Sequence, residues 1–425
     1  NTGIFFPSAD TIAFGEGGAE ALRIIPSGNV GIGTTNPTHK LHVVGDARIT
    51  GILTVGTGSI TINGPTDTIS GVTTINTASI NNGPLAGMRN KIINGAMEIS
   101  QRGTSFAAVA HGTYTIDRFQ WQHSGAMVVT ITQSTDVPND TFQSSYKVDV
   151  TTADASIAAG EYALIAQYIE GYNVRDLIGQ TFTLSFWVKS PKTGTHCVSF
   201  RNSIYNRSYV LEYTVSVANT WEYKTLTVTG GLITAGTWNW TNGVGLTVIF
   251  TLTTGSTFQT TAGAWQTGNF LGTSNQVNCM DSTANDFFLT GVQLEVGPTA
   301  TEFERRSIGQ ELALCQRYYQ ITAQAGGGNS PIAFCFQFST TSSRAAVPLT
   351  VTMRTNPPIL DLTGTPTLND SSGVGVTLSS IIVNSGIVSN NSNTVGLVAT
   401  TASRTAGPVG AWAGLNLKLA FDAEF

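Results

Sequence analysis

Residues 291–319, GVQLEVGPTATEFERRSIGQELALCQRYY, divide the chain and limit what each side can become. The alternation over 287–296 predicts the last strand of a β-domain, and Gly297-Pro298 ends it, because proline cannot donate to a sheet ladder. The strongest helix signal in the chain follows. Ser307 and Gln310 stand at capping-box spacing, and Glu311 suits the first turn of a helix. Ile308, Leu312, Cys315 and Tyr319 recur at steps of four or three and predict one apolar stripe. Everything before and after this junction reads as strands and turns.

Composition agrees. Only 11% of the 425 residues are Asp, Glu, Lys or Arg, against about 25% in an average protein, and 46 glycines with many Thr, Ser and Asn fill the difference. Short strands joined by many turns require such residues. The net charge is −5, and no basic cluster exceeds the pair Arg305-Arg306, so the footprint of a nucleic-acid-binding protein is absent. There is no apolar run of ~18 residues, so no membrane insertion is expected, and no N-terminal signal pattern. The chain opens on Asn1 rather than Met, and we expect further sequence upstream. Cys197, Cys279, Cys315 and Cys335 lack metal-ligand spacing and are expected to be buried thiols, with one or two bridges as the alternative.

Residues 1–90 carry almost no long apolar element. GNVGIGTTNPTHKLHVVGDARITGILTVG is a string of short β-segments, and ITINGPTDTISGVTTINTASINNG repeats an Ile or Val every few residues before a turn. One copy of such a segment buries too little apolar surface to offset its ordering entropy. Such a segment either stays disordered or winds together with other copies; the regular β-branched spacing argues for the second, and a threefold homotrimer is the simplest closed arrangement. Residues 91–298 read as a jelly roll or β-sandwich, with strands expected at 91–99, 117–122, 126–132, 145–150, 161–169, 180–189, 196–200, 209–217, 221–229, 243–252 and 287–296. In TFTLSFWVKS, Phe182, Leu184, Phe186 and Val188 share one face, which leaves Trp187 on the other. A linker helix is expected within 299–320. Residues 321–425 read as a second β-unit, with VPLTVTMRTNPPILDL as a strand stopped by Pro357-Pro358 and GLNLKLAFDAEF as a closing strand that ties down the C-terminus.

Taken together, these segments resemble a bacteriophage tail-fibre protein over nearly the whole chain. GNVGIGTTNPTHKLHVVGDARITG is similar to a fibre shaft entry, NKIINGAMEISQRGTS with YTIDRFQW to the opening of a fibre jelly roll, and FFLTGVQLEVGPTATEFERRSIGQELALCQRYYQ to the family's junction. VPLTVTMRTNPPI and FDAEF resemble its terminal tip domain. The resemblance implies an all-β trimeric fibre. It would have an intertwined β shaft (1–90), a carbohydrate-binding-like jelly roll (91–298), a linking helix (299–320) and a C-terminal β tip (321–425). The implied setting is the virion, outside the cell, after assembly in the host cytoplasm. Other tail proteins would attach at the N-terminal end and bacterial surface polysaccharide, such as lipopolysaccharide, would be the ligand. No cofactor is implied. Jelly-roll modules of this kind often hold a structural calcium. Glu98 matches one expected ligand, but Thr290-Gly291 stand where an Asp is expected, so no metal is assigned.

Sugars are held by aromatic faces and by polar side chains that bond their hydroxyls. The candidates are Trp187 on the outer face of its strand, Trp238 and Trp240 in GTWNWTNG, Trp265 in a glycine-rich loop, and Tyr205, Arg207 and Tyr209 beside Asn202 and Asn206. Trp412 is a candidate for the tip, while Trp221 is expected to cap the core. A trimer interface consumes aromatics too, and competes for every residue named. His39 and His42 are three apart and should face opposite ways on a strand, so they are read as ordinary solvated or interface histidines. No catalytic motif is present: no G-x-S-x-G and no H-E-x-x-H, and Gly31-x-Gly33 lacks a third glycine. Asp117, Asp149, Glu161 and Glu170 are the carboxylates from which a glycosidase pair would have to come. Depolymerase activity and a purely structural spacer are the alternatives to host binding.

Overall fold

The computed structural model describes residues 2–48, 50, 88–232, 235–324, 330–339, 341–355, 358–364, 367–369, 375–383, 394–401, 410–414 and 418–425. The repeat at 60–83 lies outside them. The chain is all-β apart from one α-helix and three short 3-10 turns among the described residues. None of their helices is long and apolar enough to cross a membrane. Two units result, Asn1–Asn76 and Thr77–Phe425.

The first unit is a five-stranded sheet in sequence order: Gly3–Phe5, Ile12–Glu16, Ala19–Ile24, Val30–Ile32 and Leu41–Val43. Three antiparallel pairs are followed by one parallel pair. Register aligns Ile4, Phe14, Leu22, Ile32 and Val43 in one row, and Ile12, Ile24, Val30 and Leu41 in the next row of the same face. The alternate positions, Ala13, Arg23, Gly31 and His42, point the other way. Yet Ile4 is 61% exposed and Leu41 62%, with Phe14 and Ile32 exposed as well. Five of these nine side chains, Ile4, Ile12, Phe14, Ile32 and Leu41, are thus exposed, and the other four are half-buried.

In the second unit, residues 105–296 form a sandwich of two antiparallel sheets. The six-stranded sheet runs Glu222–Val228, Phe182–Lys189, Asp286–Val296, Ser145–Thr152, Val128–Ser134, Ser105–Phe106. The seven-stranded sheet runs Trp265–Thr267, Arg207–Val215, Gly194–Arg201, Val244–Thr254, Tyr162–Glu170, Gln120–Ser124, Thr113–Tyr114. Phe182, Leu184, Phe186 and Val188 meet Phe200, Val248 and Phe250 between the sheets, all buried. Ten of the eleven expected strands appear within a few residues of their predicted bounds. The strand expected at 91–99 does not. Asn94 and Met97 hold positive φ there, and a Cβ on Gly95 would meet the Val292 carbonyl oxygen at 2.1 Å. The Asn94 side chain donates to the Ile99 and Asp117 carbonyls and accepts from the Ile99 N–H, so a side chain replaces the ladder.

The helix is shorter than 299–320. It spans Ile308–Gln316, with Ser307 as N-cap accepting from the Gln310 N–H, as the capping box predicted. Cys315 is buried but Ile308 is 58% exposed, and Tyr319 already belongs to a strand. Leu312 and Cys315 of the expected stripe pack with Ile93, Ile99 and Tyr318, and charge holds the segment as well. Arg306 bonds the Ile92 carbonyl and pairs with Glu304 and Glu311, while Glu304 accepts the N–H groups of Arg89 and Asn90. Arg317 forks onto buried Glu170 at 2.9 and 2.6 Å, and Tyr318 donates to the same carboxylate. The junction motif therefore stitches the two ends of the sandwich together.

Beyond it, Tyr319–Gln324, Lys418–Asp422 and Ile359–Thr363 form a three-stranded sheet. Ser330–Ser339, Ser342–Pro348, Thr394–Thr401, Gly375–Val383, Thr367–Asn369 and Gly410–Gly414 close into a barrel. The single strand expected in VPLTVTMRTNPPILDL is two, Ser342–Pro348 and Ile359–Thr363, because its middle leaves the ladder: the Arg354 N–H bonds the Arg317 carbonyl instead. All four cysteines are buried thiols.

Candidate functional site

The outer face of the six-stranded sheet carries an aromatic cleft. Strand alternation turns Trp187 out of the core, as the sequence predicted. Its register partners are Tyr223 on one side and Thr290 on the other, and the Trp187 and Tyr223 rings lie 5.3 Å apart. Pairing with the Asp286–Val296 strand slips between Ser185 and Trp187, which makes a bulge around Gly291. Gly291 has φ +62°, and a Cβ there would sit 2.8 Å from Phe142 Cζ and 3.0 Å from Trp187 Cδ1. Glycine at this one position therefore opens the floor of the cleft.

The opposite wall comes from Phe142 and Phe303, edge to face at 5.4 Å, with the Arg305 guanidinium 4.9 Å from the Phe142 ring centre. Arg305 donates to the Thr141 carbonyl and lies 3.6 Å from Glu98. With Asn139, Thr141, Ser185 and Glu302 these residues line an open cavity of about 270 Å3, near the low end of the ~300–1,000 Å3 of small-ligand pockets. Apolar ring faces at the base and amide, hydroxyl and ionic groups at the rim suit a ligand with apolar faces and a polar edge.

The remaining candidates do not converge on this cleft. Trp238 and Trp240 stack at 5.7 Å with 11° between planes, Trp238 meets Trp265 edge-on at 5.6 Å, and Trp265 meets Tyr209 at 5.3 Å. Their polar atoms turn to backbone: Trp238 Nε1 to the Ala235 carbonyl, Trp265 Nε1 to Gly231, Tyr209 hydroxyl to Gly263. Arg207 donates to Thr267 Oγ1 and the Trp265 carbonyl. This cluster packs on the core at the sheet edge. Trp265 lies in a short strand rather than the expected loop, and Tyr209 is core-facing, opposite Phe200. Tyr205 is separated from them, on a turn where it covers Arg201. Trp412 falls on the strand Gly410–Gly414, its side chain outside the described residues. Trp221 is not a core cap. It sits half-buried on the outer face, donating to Asp136 and meeting Phe288 edge-on. His39 and His42 lie close, their rings edge-on at 6.3 Å rather than facing apart.

The carboxylates are engaged elsewhere. Asp117 accepts from Gln101, Glu170 from Arg317 and Tyr318, Glu161 from the Ala158 N–H, and Asp149 sits opposite Asp286 in the ladder. Glu302 is the carboxylate that lines the cleft. A buried Cys–His contact exists, Cys279 Sγ to His196 Nδ1 at 3.6 Å, but burial pushes the thiol up to about 12 and pulls the imidazole down. Both groups stay neutral at physiological pH, which is the opposite of an activated nucleophile. Among the described residues no three His, Cys, Asp or Glu gather as a metal site, and Glu98 faces Arg305 rather than a second acid.

Tyr223, Phe142, Phe303, Arg305 and Gly291 were not singled out from sequence. Only strand pairing brings Tyr223 to Trp187, and Phe142 and Phe303 are 161 residues apart (303 − 142). The WEYK alternation was the one available hint, since it sets Tyr223 and Trp221 on one face.

No family model matches the chain, and no curated protein matches it. Solved structures do. The enzymatically active domain of tailspike protein 4 of bacteriophage CBA120 is 20% identical, with TM-score 0.25, over 45% of this chain and 21% of that one. A CBM4 structure is 14% identical, with TM-score 0.26, over 48% of this chain and 97% of that one. The family 11 carbohydrate-binding module of a cellulosomal cellulase from Clostridium thermocellum is 9% identical, with TM-score 0.25, over 46% and 100%. The chain thus spans about a fifth of the tailspike domain's length and nearly all of each module.

Proposed function

We propose that this chain is a bacteriophage tail fibre that binds bacterial surface glycan through the Trp187 cleft. The observation that carries this reading is the cleft itself: four aromatic rings around a solvent-open cavity with Asn139, Thr141, Ser185, Glu302 and Arg305 at its rim. Core packing does not call for a cavity whose floor is held open by a left-handed glycine. The open apolar face of the first unit supports the trimeric part of the proposal. Its five exposed side chains find cover when copies of the chain assemble about a common axis. Several weak sites on one stalk, and several stalks on one particle, then act by avidity. The sequence resemblance supports placing the fibre on the virion, with other tail proteins at its N-terminal end.

The test is a titration of the purified full chain with host surface polysaccharide. Trp187→Ala is expected to weaken binding at least about fivefold, since one aromatic platform contributes about 1–3 kcal/mol at stacking sites, and to leave the fold intact because Trp187 faces outward. Unchanged binding would remove the cleft from the mechanism. Sustained release of new reducing ends from the same mixture would replace binding by cleavage. Failure of soluble fibre to compete with virus for cells would favour a spacer.

A further inference from the structure

On the opposite side of the sandwich, the outer face of the seven-stranded sheet holds a cation with no carboxylate partner among the described residues. Register places Arg201 opposite Ser208 and Thr247, and Thr247 opposite Tyr168, so Arg201, Thr247 and Tyr168 form one row across three strands. Their neighbours Phe200 and Val248 point into the core, which turns this row outward. Arg201 is only 4% exposed. Its Nη1 donates to Asn269 Oδ1 at 2.6 Å, and the guanidinium lies 4.2 Å from the centre of the Tyr205 ring. Its Nε is buried without a partner among the described residues, and so is Thr247 Oγ1 at the adjoining register position.

Other guanidinium groups buried this deeply have carboxylates. Arg118 pairs with Glu424, and Arg306 with Glu304 and Glu311. Burial acts on Arg201 most and lowers its pKa, and the other groups that act on it are the phenols of Tyr205, Tyr168 and Tyr162 rather than any carboxylate. A buried cation with neutral neighbours is unfavourable unless something supplies the missing negative charge. On the same face Leu164, Ala166, Tyr168, Ile249 and Leu271 form a buried apolar cluster, so the accessible part of the site is the turn that carries Tyr205. Tyr205 is 40% exposed and holds φ +59°, a costly conformation for a tyrosine. Asn202 fixes that turn: its Oδ1 accepts the N–H groups of Asn206 and Arg207, and its Nδ2 donates to the Thr237 carbonyl. Farther along the face, Gln122 donates to the Tyr168 hydroxyl, and that hydroxyl donates to Gln120.

We propose that this face is a second binding site, for the oxyanion of an acidic sugar, in which Arg201 supplies the counter-charge and Tyr205 the ring platform. The guanidinium fork matches carboxylate and phosphate alike. The sugar part of the assignment rests on the glycan-binding reading above; the anion part does not. The site is distinct from the Trp187 cleft, which lies on the other sheet.

The experiment titrates the full chain with glucuronate, glucose 6-phosphate and glucose, read by saturation-transfer NMR at low and at 0.5 M salt. At least one anionic probe is expected to bind, at least tenfold more weakly in Arg201→Gln and at high salt, and unchanged in Trp187→Ala. A preference for glucuronate identifies a carboxylate ligand and a preference for glucose 6-phosphate a phosphate. The ligand-free thermal midpoint of Arg201→Gln is expected to hold or rise, because an uncompensated charge has been removed. A lowered midpoint with unchanged anion binding would assign Arg201 to packing alone and overturn the proposal. So would equal binding of all three probes. If Arg201→Gln fails to fold, Tyr205→Ala replaces it, with a threefold or greater loss of anion binding expected and no loss counting against the site. Loss of neutral-glycan binding in Trp187→Ala, with no anion binding in any variant, would leave the cleft standing and sink this site only.

Discussion

At the scale of single residues, the chain spends unusual conformations where rings must be placed. Gly291 and Tyr205 both have positive φ, one to open space beside Trp187 and one to lay a ring over Arg201. His196 shows the same economy in the core. Its Nε2 meets the Lys192 carbonyl at 2.9 Å and its ring stacks on Tyr213. Burial lowers its pKa in the folded protein, while the unfolded chain keeps the ordinary value of about 6.5. The unfolded state therefore takes up the proton first as pH falls. The stability that depends on neutral His196 is complete above about pH 6.5 and declines below it toward the folded-state pKa. Urea midpoints measured from pH 7.5 to 5 are expected to fall. His196→Gln, which does not titrate, is expected to show a shallower decline, and parallel curves would assign the acid sensitivity elsewhere.

At the scale of elements, the surprise is how much the final residues do. The Lys418–Asp422 strand lies between Tyr319–Gln324 and Ile359–Thr363, and the three residues after it run back to the sandwich. Arg118 pairs with Glu424 and lies 3.5 Å from the Tyr318 ring centre, while Arg354 donates to the carbonyls of Ala423 and Glu424. Arg102 stacks on Tyr319 at 3.7 Å and pairs with Asp422. Breaking such a pair leaves a charge buried alone. Glu424→Ala is expected to cost about 3–5 kcal/mol, seen as a lower thermal midpoint, whereas Glu98→Ala, on a partly exposed pair, should cost under about 1 kcal/mol. Equal effects would mean that the tail is not a strap. Sequence alternation made the closing strand legible, but FDAEF gave no sign of the cations waiting for it, because Arg102 and Arg118 lie about 300 residues earlier.

At the scale of the whole molecule, the proposed assembly rests on the first unit. Its apolar rows are regular, aligned and more than half exposed, and a sheet with one poorly covered face gains little by folding alone. The full chain is expected to sediment at three times its 44.8 kDa mass. Phe14→Asp, in the middle of the exposed row, is expected to shift it to monomer while leaving the sandwich folded by circular dichroism. A monomeric wild-type chain would remove the trimer and with it the avidity account.

The sequence alone determined the local grammar. Period-two alternation set ten strands, the Ser307 cap set the helix start, Gly297-Pro298 set a strand end, and Trp187 was correctly turned outward, because these depend on neighbours within a few residues. Tertiary structure decided what the side chains meet. Tyr223, Phe142 and Phe303 reach Trp187 only through strand pairing, the expected 91–99 strand became a turn because Asn94 found carbonyls 5 and 23 residues away, and Tyr209 and Trp265 were drawn into a packed edge. Contacts between distant segments have no local signature. Burial, register and the pairing of charges are fixed only when the sheets close on each other.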